Sequence, residues 1–328
     1  MRGSTLPGLV LLALAVLPSG CIPSPPQHAL DTQLSVCSFN INFLGHYKSR
    51  DDVSLATLLK DFDIVVVQEL VAPPYPLTYP DGTAAHPDAE SARFFDQMTR
   101  HGFKYWLSEE DTGPGDTIHT NATSTEWWVA FYKPEAVQTA SDLPWGFLAD
   151  DRSNDSDYDR VPYAFSFRTS DGTLDFVLIS VHLRAGGGSL DMQRRSQGVR
   201  LIVTWTGTRA SSEKDFIILG DMNIESSAEL ATFVPAPYAS LNAACVATNT
   251  SPSSPKPYDQ VLVDPSHTHE VDTAYGFRVT RLVDALEPTW RGPGAYPGDP
   301  YDASAFGQLY SDHNPVSFAF RLPGFDDD

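Results

Sequence analysis

Phe216-Ile217-Ile218-Leu219-Gly220-Asp221-Met222-Asn223 sets four apolar residues, without alternation, ahead of a glycine and an acid. A run that never alternates leaves no face for water. It predicts a strand covered on both sides, as in the inner strands of sheets that helices enclose. Working outward, Ile64-Val65-Val66-Val67 repeats the pattern and leads into Gln68-Glu69. Further strands are expected at residues 34–39, 127–132, 163–168, 174–181, 261–263 and 316–320. Two of these flank Thr169-Ser170-Asp171-Gly172-Thr173, whose Asp-Gly signals a hairpin. Helices are expected at 53–60, 89–100, 190–206 and 228–233, the last capped by Ser226 or Ser227. The pattern is α/β or α+β, with two sheets covered by helices.

Polar residues fall on this map in a telling way. Asn40, Glu69, His182 and Asp221 each follow an apolar strand directly, whereas Asp259 and Asp312-His313 each precede one. If the second group of strands runs antiparallel to the first, all of them meet on one rim. Carboxylates beside imidazoles suit metal-assisted attack on a phosphodiester, which resists hydrolysis because it is anionic and its leaving alkoxide is poor. Glu69 and Asp312 are hard oxygen donors suited to Mg²⁺, Mn²⁺ or Ca²⁺, and Asn40 can add a neutral oxygen or bind phosphate. Asp221 and Asn223 are candidates for holding the nucleophile, a second metal or the phosphate.

The ends of the chain carry a different message. Arg2, an apolar run from Leu9 to Leu17 and then Pro18-Ser19-Gly20-Cys21 read as a secretory signal over residues 1–21, too short to span a bilayer. Its Gly-Cys ending resembles the bacterial lipoprotein box, so lipidation of Cys21 is expected, with ordinary cleavage as the alternative. Residues 22–33, rich in Pro and Ser, form a tether, 34–322 the catalytic domain and 323–328 an acidic tail. The protein is expected to be exported, as a cell-envelope lipoprotein or a secreted monomer. Cys37, in an apolar strand, is expected to be a buried free thiol, although export permits one disulfide with Cys245.

At 328 residues and 41% apolar, the chain can build one large core. Its formal net charge of −20 gives no global attraction for anions. Screening over about 8 Å nevertheless lets local charge decide binding. Arg184, Arg194, Arg195, Arg200 and Arg209 face only Asp191 across their stretch. They read either as a phosphate-facing patch or as a solvated helix face. Asp155, Asp157 and Asp159 alternate as calcium ligands do, so structural Ca²⁺ is one reading. The glycine of an EF-hand loop is missing, and a solvated acidic loop is the simpler one.

Ser38-Phe39-Asn40-Ile41-Asn42, Gln68-Glu69, Val181-His182-Leu183, Gly220-Asp221-Met222-Asn223, Tyr258-Asp259-Gln260-Val261 and Ser311-Asp312-His313-Asn314-Pro315-Val316 occur in one order along the chain. In that order they resemble the endonuclease/exonuclease/phosphatase superfamily, and within it the deoxyribonuclease I-like branch. The resemblance implies a four-layer sandwich of two packed, mostly antiparallel sheets flanked by helices. It also implies two histidine-acid couples, Glu126 with His182 and Asp259 with His313, which divide the proton transfers; which histidine acts as acid stays open. Arg160 matches an arginine used near the phosphate, and Arg184 is a second candidate from the arginine stretch. A divalent metal, Mg²⁺ or Mn²⁺, is implied, held by Glu69 and Asp312 with Asn40 adjacent.

Departures from that branch bear on substrate. Val71 and Ser124 stand where deoxyribonuclease I has its minor-groove arginine and aromatic, and the disulfide after the Asp-x-Asn motif is absent. Tyr75, Tyr79 and His119 sit on loops that can supply other contacts. The leading expectation is a DNA endonuclease of low sequence specificity, with RNA a further substrate. A sphingomyelinase or phospholipase C-like phosphoesterase is the alternative, favoured by the membrane anchor and by Tyr296, Tyr301, Phe306 and Tyr310. A catalytically inactive surface binding protein is the third reading, and its expected sign, a missing catalytic group, is not found.

Overall fold

A computed structural model of the chain describes residues 1, 32–115, 117–150, 157–290, 296, 301–324 and 326. Residues 2–31, which hold Cys21 and nearly all of the expected signal and tether, lie outside them, as do Asp155 and the last two residues. In the first half, β1 (Gln33–Leu44), α1 (Asp52–Leu59), β2 (Ile64–Leu70), α2 (Ala89–Arg100), β3 (Lys104–Leu107) and β4 (Trp127–Tyr132) follow one another. Next come β5 (Val137–Thr139), β6 (Gly146–Phe147), β7 (Tyr163–Thr169), β8 (Asp175–His182), α3 (Ser189–Gly207) and β9 (Phe216–Asp221). The chain continues through α4 (Ser227–Phe233), β10 (Ala239–Ser240), β11 (Asp259–Val263), β12 (Arg278–Val279), α5 (Leu282–Ala285), α6 (Ala303–Leu309) and β13 (Val316–Arg321).

These strands form two sheets. One has six strands in the order β12-β13-β1-β2-β4-β3, and the other seven, β10-β11-β9-β8-β7-β5 with β6 beside β7. Each sheet has a parallel pair at its centre, β1 with β2 and β8 with β9, while every other neighbour runs antiparallel. A parallel pair needs a crossover, and α1 and α3 supply it.

The non-alternating strands are explained by what lies on each side. Val36, Ile64, Val66, Trp128 and Ala130 meet Phe165, Phe176, Leu178, Ile217 and Leu219 between the sheets. On the outer face of the first sheet, Cys37, Phe39, Val65, Val67 and Phe131 pack on Leu55, Leu59, Phe94, Phe95 and Met98 of the helices. On the outer face of the second, Val177, Ile179, Val181 and Ile218 pack on Val199, Ile202, Leu230 and Phe233. The layers are helix, sheet, sheet, helix. Each fully buried aliphatic or aromatic side chain contributes roughly 1.5–3 kcal/mol, so this triple core dominates stability.

Local signals act as read. Asp171 closes the hairpin by accepting from Thr173 N (3.1 Å), and Ser226 caps α4 by accepting from Glu229 N (3.2 Å). Gln33, expected to lie ahead of the first strand, already pairs with Arg321 in the sheet. Cys37 is buried and Cys245 half-buried, and both are free thiols. Among the described residues no helix is long and apolar enough to cross a membrane.

Candidate active site

The strand registers bring the polar residues together. His182 at the end of β8 lies level with Asp221 at the end of β9, and Asp221 lies level with Asp259 at the start of β11. In the other sheet Asn40 lies level with Gln68, and Leu70 pairs with Trp127, which sets Glu126 beside Glu69. Val316 pairs with Ser38, so the segment before β13 turns over the same rim.

The backbone departs from regular strand where chemistry is concentrated. Glu69 has φ of 64°, Asn42 of 61°, Phe43 of 57° and Asn223 of 51°. Side-chain-bearing residues adopt this left-handed region at a cost, met here by local bonds. The turn at Glu69 sends its own N–H to Glu126 Oε2 (2.7 Å) and leaves its carboxylate facing the rim. Asn40 Nδ2 donates to Glu69 Oε1 (2.9 Å) and to Asp221 Oδ2 (3.0 Å), joining the two sheets, and Phe43 N donates to Glu69 Oε2 (3.0 Å).

Gly220 is required by close approach. Its φ is 139°, and a Cβ there would lie 2.1 Å from the carbonyl oxygen of Val181. Any side chain would push β8 and β9 apart between His182 and Asp221.

Two couples converge on Asp221. His182 Nδ1 bonds Glu126 Oε2 (3.3 Å), with Oε1 at 3.1 Å, and its Nε2 is 3.6 Å from Asp221 Oδ2. His313 Nδ1 bonds Asp259 Oδ2 (2.9 Å), and its Nε2 is likewise 3.6 Å from Asp221 Oδ2. Both imidazoles are buried, as are Glu126, Asp221 and Asp259. The other Asp221 oxygen accepts from Asn223 N (2.9 Å), whose side-chain amide donates to Leu183 O (3.1 Å).

Burial and pairing oppose one another at these groups. Burial lowers the affinity of His313 for a proton, but Asp259, Asp221 and Asp312 outweigh it and raise its pKa well above the ordinary value. Burial and Arg160 act the same way on His182, where Glu126 and Asp221 prevail and raise it. Burial pushes Asp221 up, yet the two imidazoles and its hydrogen bonds hold it below the usual carboxylate range. Glu126 is also held low: burial is overcome by His182 and Arg160, whose Nε is 2.8 Å from Glu126 Oε1. Glu69 is different, because burial leaves it raised despite His182 and Asn40, with Asp312 adding repulsion. Crowded acids of this kind gain from a cation.

The donor set fits a hard divalent ion. Ligand atoms of Glu69, His182 and Asp221 lie within 4.8 Å of one another, as do those of Asp221, Asp259 and His313. Asp312 is exposed at the mouth and acts on Glu69 and His313 through its charge. It stands outside both close groups, so its carboxylate extends the cluster toward solvent.

Several expected contacts take another form. Arg184 is half exposed and engaged by Asp191 (3.0 Å) and Asp159 (3.7 Å). Arg194 also reaches Asp159 (3.3 Å), Arg195 is buried against Glu229 (2.9 Å), and Arg209 lies over Trp205 at 3.8 Å. Of the five arginines read either as a phosphate-facing patch or as a solvated helix face, these four are thus engaged by acids and packing. Asp159 serves those arginines. Tyr79 stacks between His119 (3.7 Å) and Trp127 (5.4 Å) and donates to Asp111 (3.0 Å), which pins that loop to the sheet.

Other residues of the rim went unread. Ser311 Oγ donates to Asn40 O (2.7 Å) and accepts from His313 N (2.9 Å), tying the histidine segment to β1. Thr248 Oγ1 accepts from Asp259 N (2.9 Å). Ser311 carried a local signal, a hydroxyl two residues before the histidine. Thr248 carried none, since its partner lies 11 residues away.

Comparisons with known proteins agree with this geometry. A search of curated protein sequences found no match. Among solved structures, D. rerio TDP2 complexed with a single-strand DNA product is similar at 14% identity and a TM-score of 0.52, covering 89% of this chain and all of that one. An endonuclease/exonuclease/phosphatase family protein from Bacteroides thetaiotaomicron is similar at 17% identity and a TM-score of 0.53, covering 89% and 99%. One from Beutenbergia cavernae has 15% identity and a TM-score of 0.52, covering 89% and 72%. These likenesses establish the fold. The profile of the Endonuclease/Exonuclease/phosphatase family matches residues 37–313, most of the chain, and the protein belongs to that family.

Proposed function

We propose that this phosphoester hydrolase is a divalent-metal-dependent phosphodiesterase, exported from the cell, that cuts DNA with little sequence preference and accepts RNA. One observation carries the reading: two imidazoles, each backed by a buried carboxylate on Nδ1, present Nε2 to the same Asp221 oxygen at 3.6 Å. The carboxylate behind each ring fixes its tautomer and raises its basicity. One histidine of the pair takes a proton from the attacking water and the other gives one to the departing oxygen. Asp221 sits between them and keeps both rings aimed at the reacting phosphate, with Asn223 bracing its other oxygen. Arg160, beside Glu126, is the cation nearest this couple and is assigned to the phosphate.

Glu69 and Asp312 are assigned to the metal, Mg²⁺ or Mn²⁺, which when bound would neutralise charge building on the phosphate oxygens. Asn40, expected to offer an oxygen, turns that oxygen to Asn42 N and holds Glu69 and Asp221 through its amide N–H groups. DNA as the polymer is supported by family membership and by the DNA product held by the similar TDP2 structure. The internally paired arginines support it less, which points to a shallow contact close to the scissile bond. A phospholipase C-like activity loses its aromatic argument, because Phe306 and Tyr310 are buried and Tyr296 and Tyr301 pack against the same core. An inactive binding protein would lack one of the couples, and both are intact.

The test is incubation with supercoiled plasmid, RNA, sphingomyelin and bis(p-nitrophenyl) phosphate, with Mg²⁺ and with chelator. Plasmid nicking that chelator abolishes is expected. Hydrolysis of sphingomyelin alone, or of nothing, would sink the DNA reading.

A further inference from the structure

Arg50 and Glu90 form an ion pair with no exposed side-chain surface, Nε to Oε1 at 2.6 Å. Neither belongs to the histidine couples or to the carboxylates assigned to the metal. A buried ion pair seldom adds net stability over apolar residues of the same volume, so its partners are the place to look for its use.

Those partners are backbone groups at the rim. Arg50 Nη1 donates to the carbonyls of Ile41 (2.5 Å) and Tyr310, and Nη2 donates to that of Asn42. Glu90 Oε2 accepts from Gly45 N (2.9 Å). The first segment is the left-handed turn of Asn42 and Phe43 that interrupts the pairing of β1, and Phe43 N is the group that holds Glu69 Oε2. The second ends two residues before Asp312, and the Asn42 side chain crosses to it by donating to Gly307 O (3.1 Å). A guanidinium is a rigid planar fork that can hold several acceptors at once.

We propose that the Arg50–Glu90 pair is a positioning device that fixes the two backbone segments carrying the Glu69 clamp and Asp312, so that both carboxylates are set before a cation arrives. The inference rests on the metal assignment above and deepens it. Groups bonded directly to metal ligands typically alter metal affinity by about 10- to 100-fold, and this pair acts one step further out, through the backbone that holds them.

The full chain is titrated with Mn²⁺ alone, and turnover of bis(p-nitrophenyl) phosphate is measured beside it. Arg50→Lys keeps the charge but cannot span three carbonyls. It is expected to stay folded by circular dichroism, to weaken Mn²⁺ binding at least about tenfold, and to lower kcat more than it changes KM. Arg50→Met/Glu90→Met removes both charges together, and the same loss of Mn²⁺ affinity in a protein of near-native melting temperature would separate positioning from folding. A lowered melting temperature with unchanged Mn²⁺ affinity in either folded variant would overturn the inference and leave the phosphodiesterase reading standing. An unaltered chain that binds no Mn²⁺ would overturn both.

Discussion

His182 and His313, 131 positions apart in the chain, point Nε2 at one oxygen of Asp221 from equal distances of 3.6 Å. Because each ring has its own carboxylate on the far nitrogen, the two act as separable units. His182→Ala and His313→Ala are each expected to lower turnover of a generic phosphodiester by at least ~10² with the fold retained. Wild-type turnover in either variant, by steady-state kinetics beside a circular dichroism spectrum, removes that histidine from the chemistry.

Gly220→Ala tests the close approach of β8 and β9. With its Cβ 2.1 Å from the Val181 oxygen, alanine is expected to destabilise by more than about 3 kcal/mol. Gly198→Ala in α3 is the contrast, since its Cβ would meet only Leu183 Cδ2 at 3.6 Å. There, helix propensity predicts a gain of up to about 1 kcal/mol. Urea unfolding measures both, and equal midpoints would refute the steric account.

Asp52 supplies a pH dependence. Burial, opposed in part by Arg93, pushes its carboxyl up to about 6, above the ordinary value. A raised carboxyl costs stability where it is ionised in the fold, so the cost is full above pH 6 and disappears as pH falls toward the unfolded value. Asp52→Asn is therefore expected to raise stability by on the order of 1 kcal/mol at pH 8 and to bring little or no gain at pH 4. Melting curves across that range check it, and a difference independent of pH would contradict it.

The thiols give a fourth expectation. Cys37 has no exposed surface, and burial raises its pKa, so it should resist alkylation until the chain unfolds. Half-buried Cys245 should be labelled first. Peptide mapping after a short iodoacetamide exposure distinguishes them, and early labelling of Cys37 would show that the first sheet opens.

Much of this was legible because the strands are buried on both faces. The run 216–219 announced β9, and 127–132 matched β4 residue for residue. Rim ends were read short in a consistent direction: β1 runs on to Leu44, β2 to Leu70 and β8 to His182. Backbone pairing continues through polar side chains there, and hydrophobicity cannot report it. The strands β3, β5, β6, β10 and β12 went unread because each is an edge of two to four residues. Glu126 was named by the resemblance and not by any local pattern of its own. Arg160 was named by the same resemblance, but its pairing with Glu126 became legible only once the strands had brought the two together.

The final strand, β13, does not cap an edge; it lies between β12 and β1 in the six-stranded sheet. A growing polypeptide therefore carries a gap beside β1 until β13 has been made, and Asp312 and His313 arrive only with the piece that fills it. Such long-range closure is slow. Chains that lack β13 consequently lack a complete site, and phosphoester hydrolysis becomes possible only as a single late event.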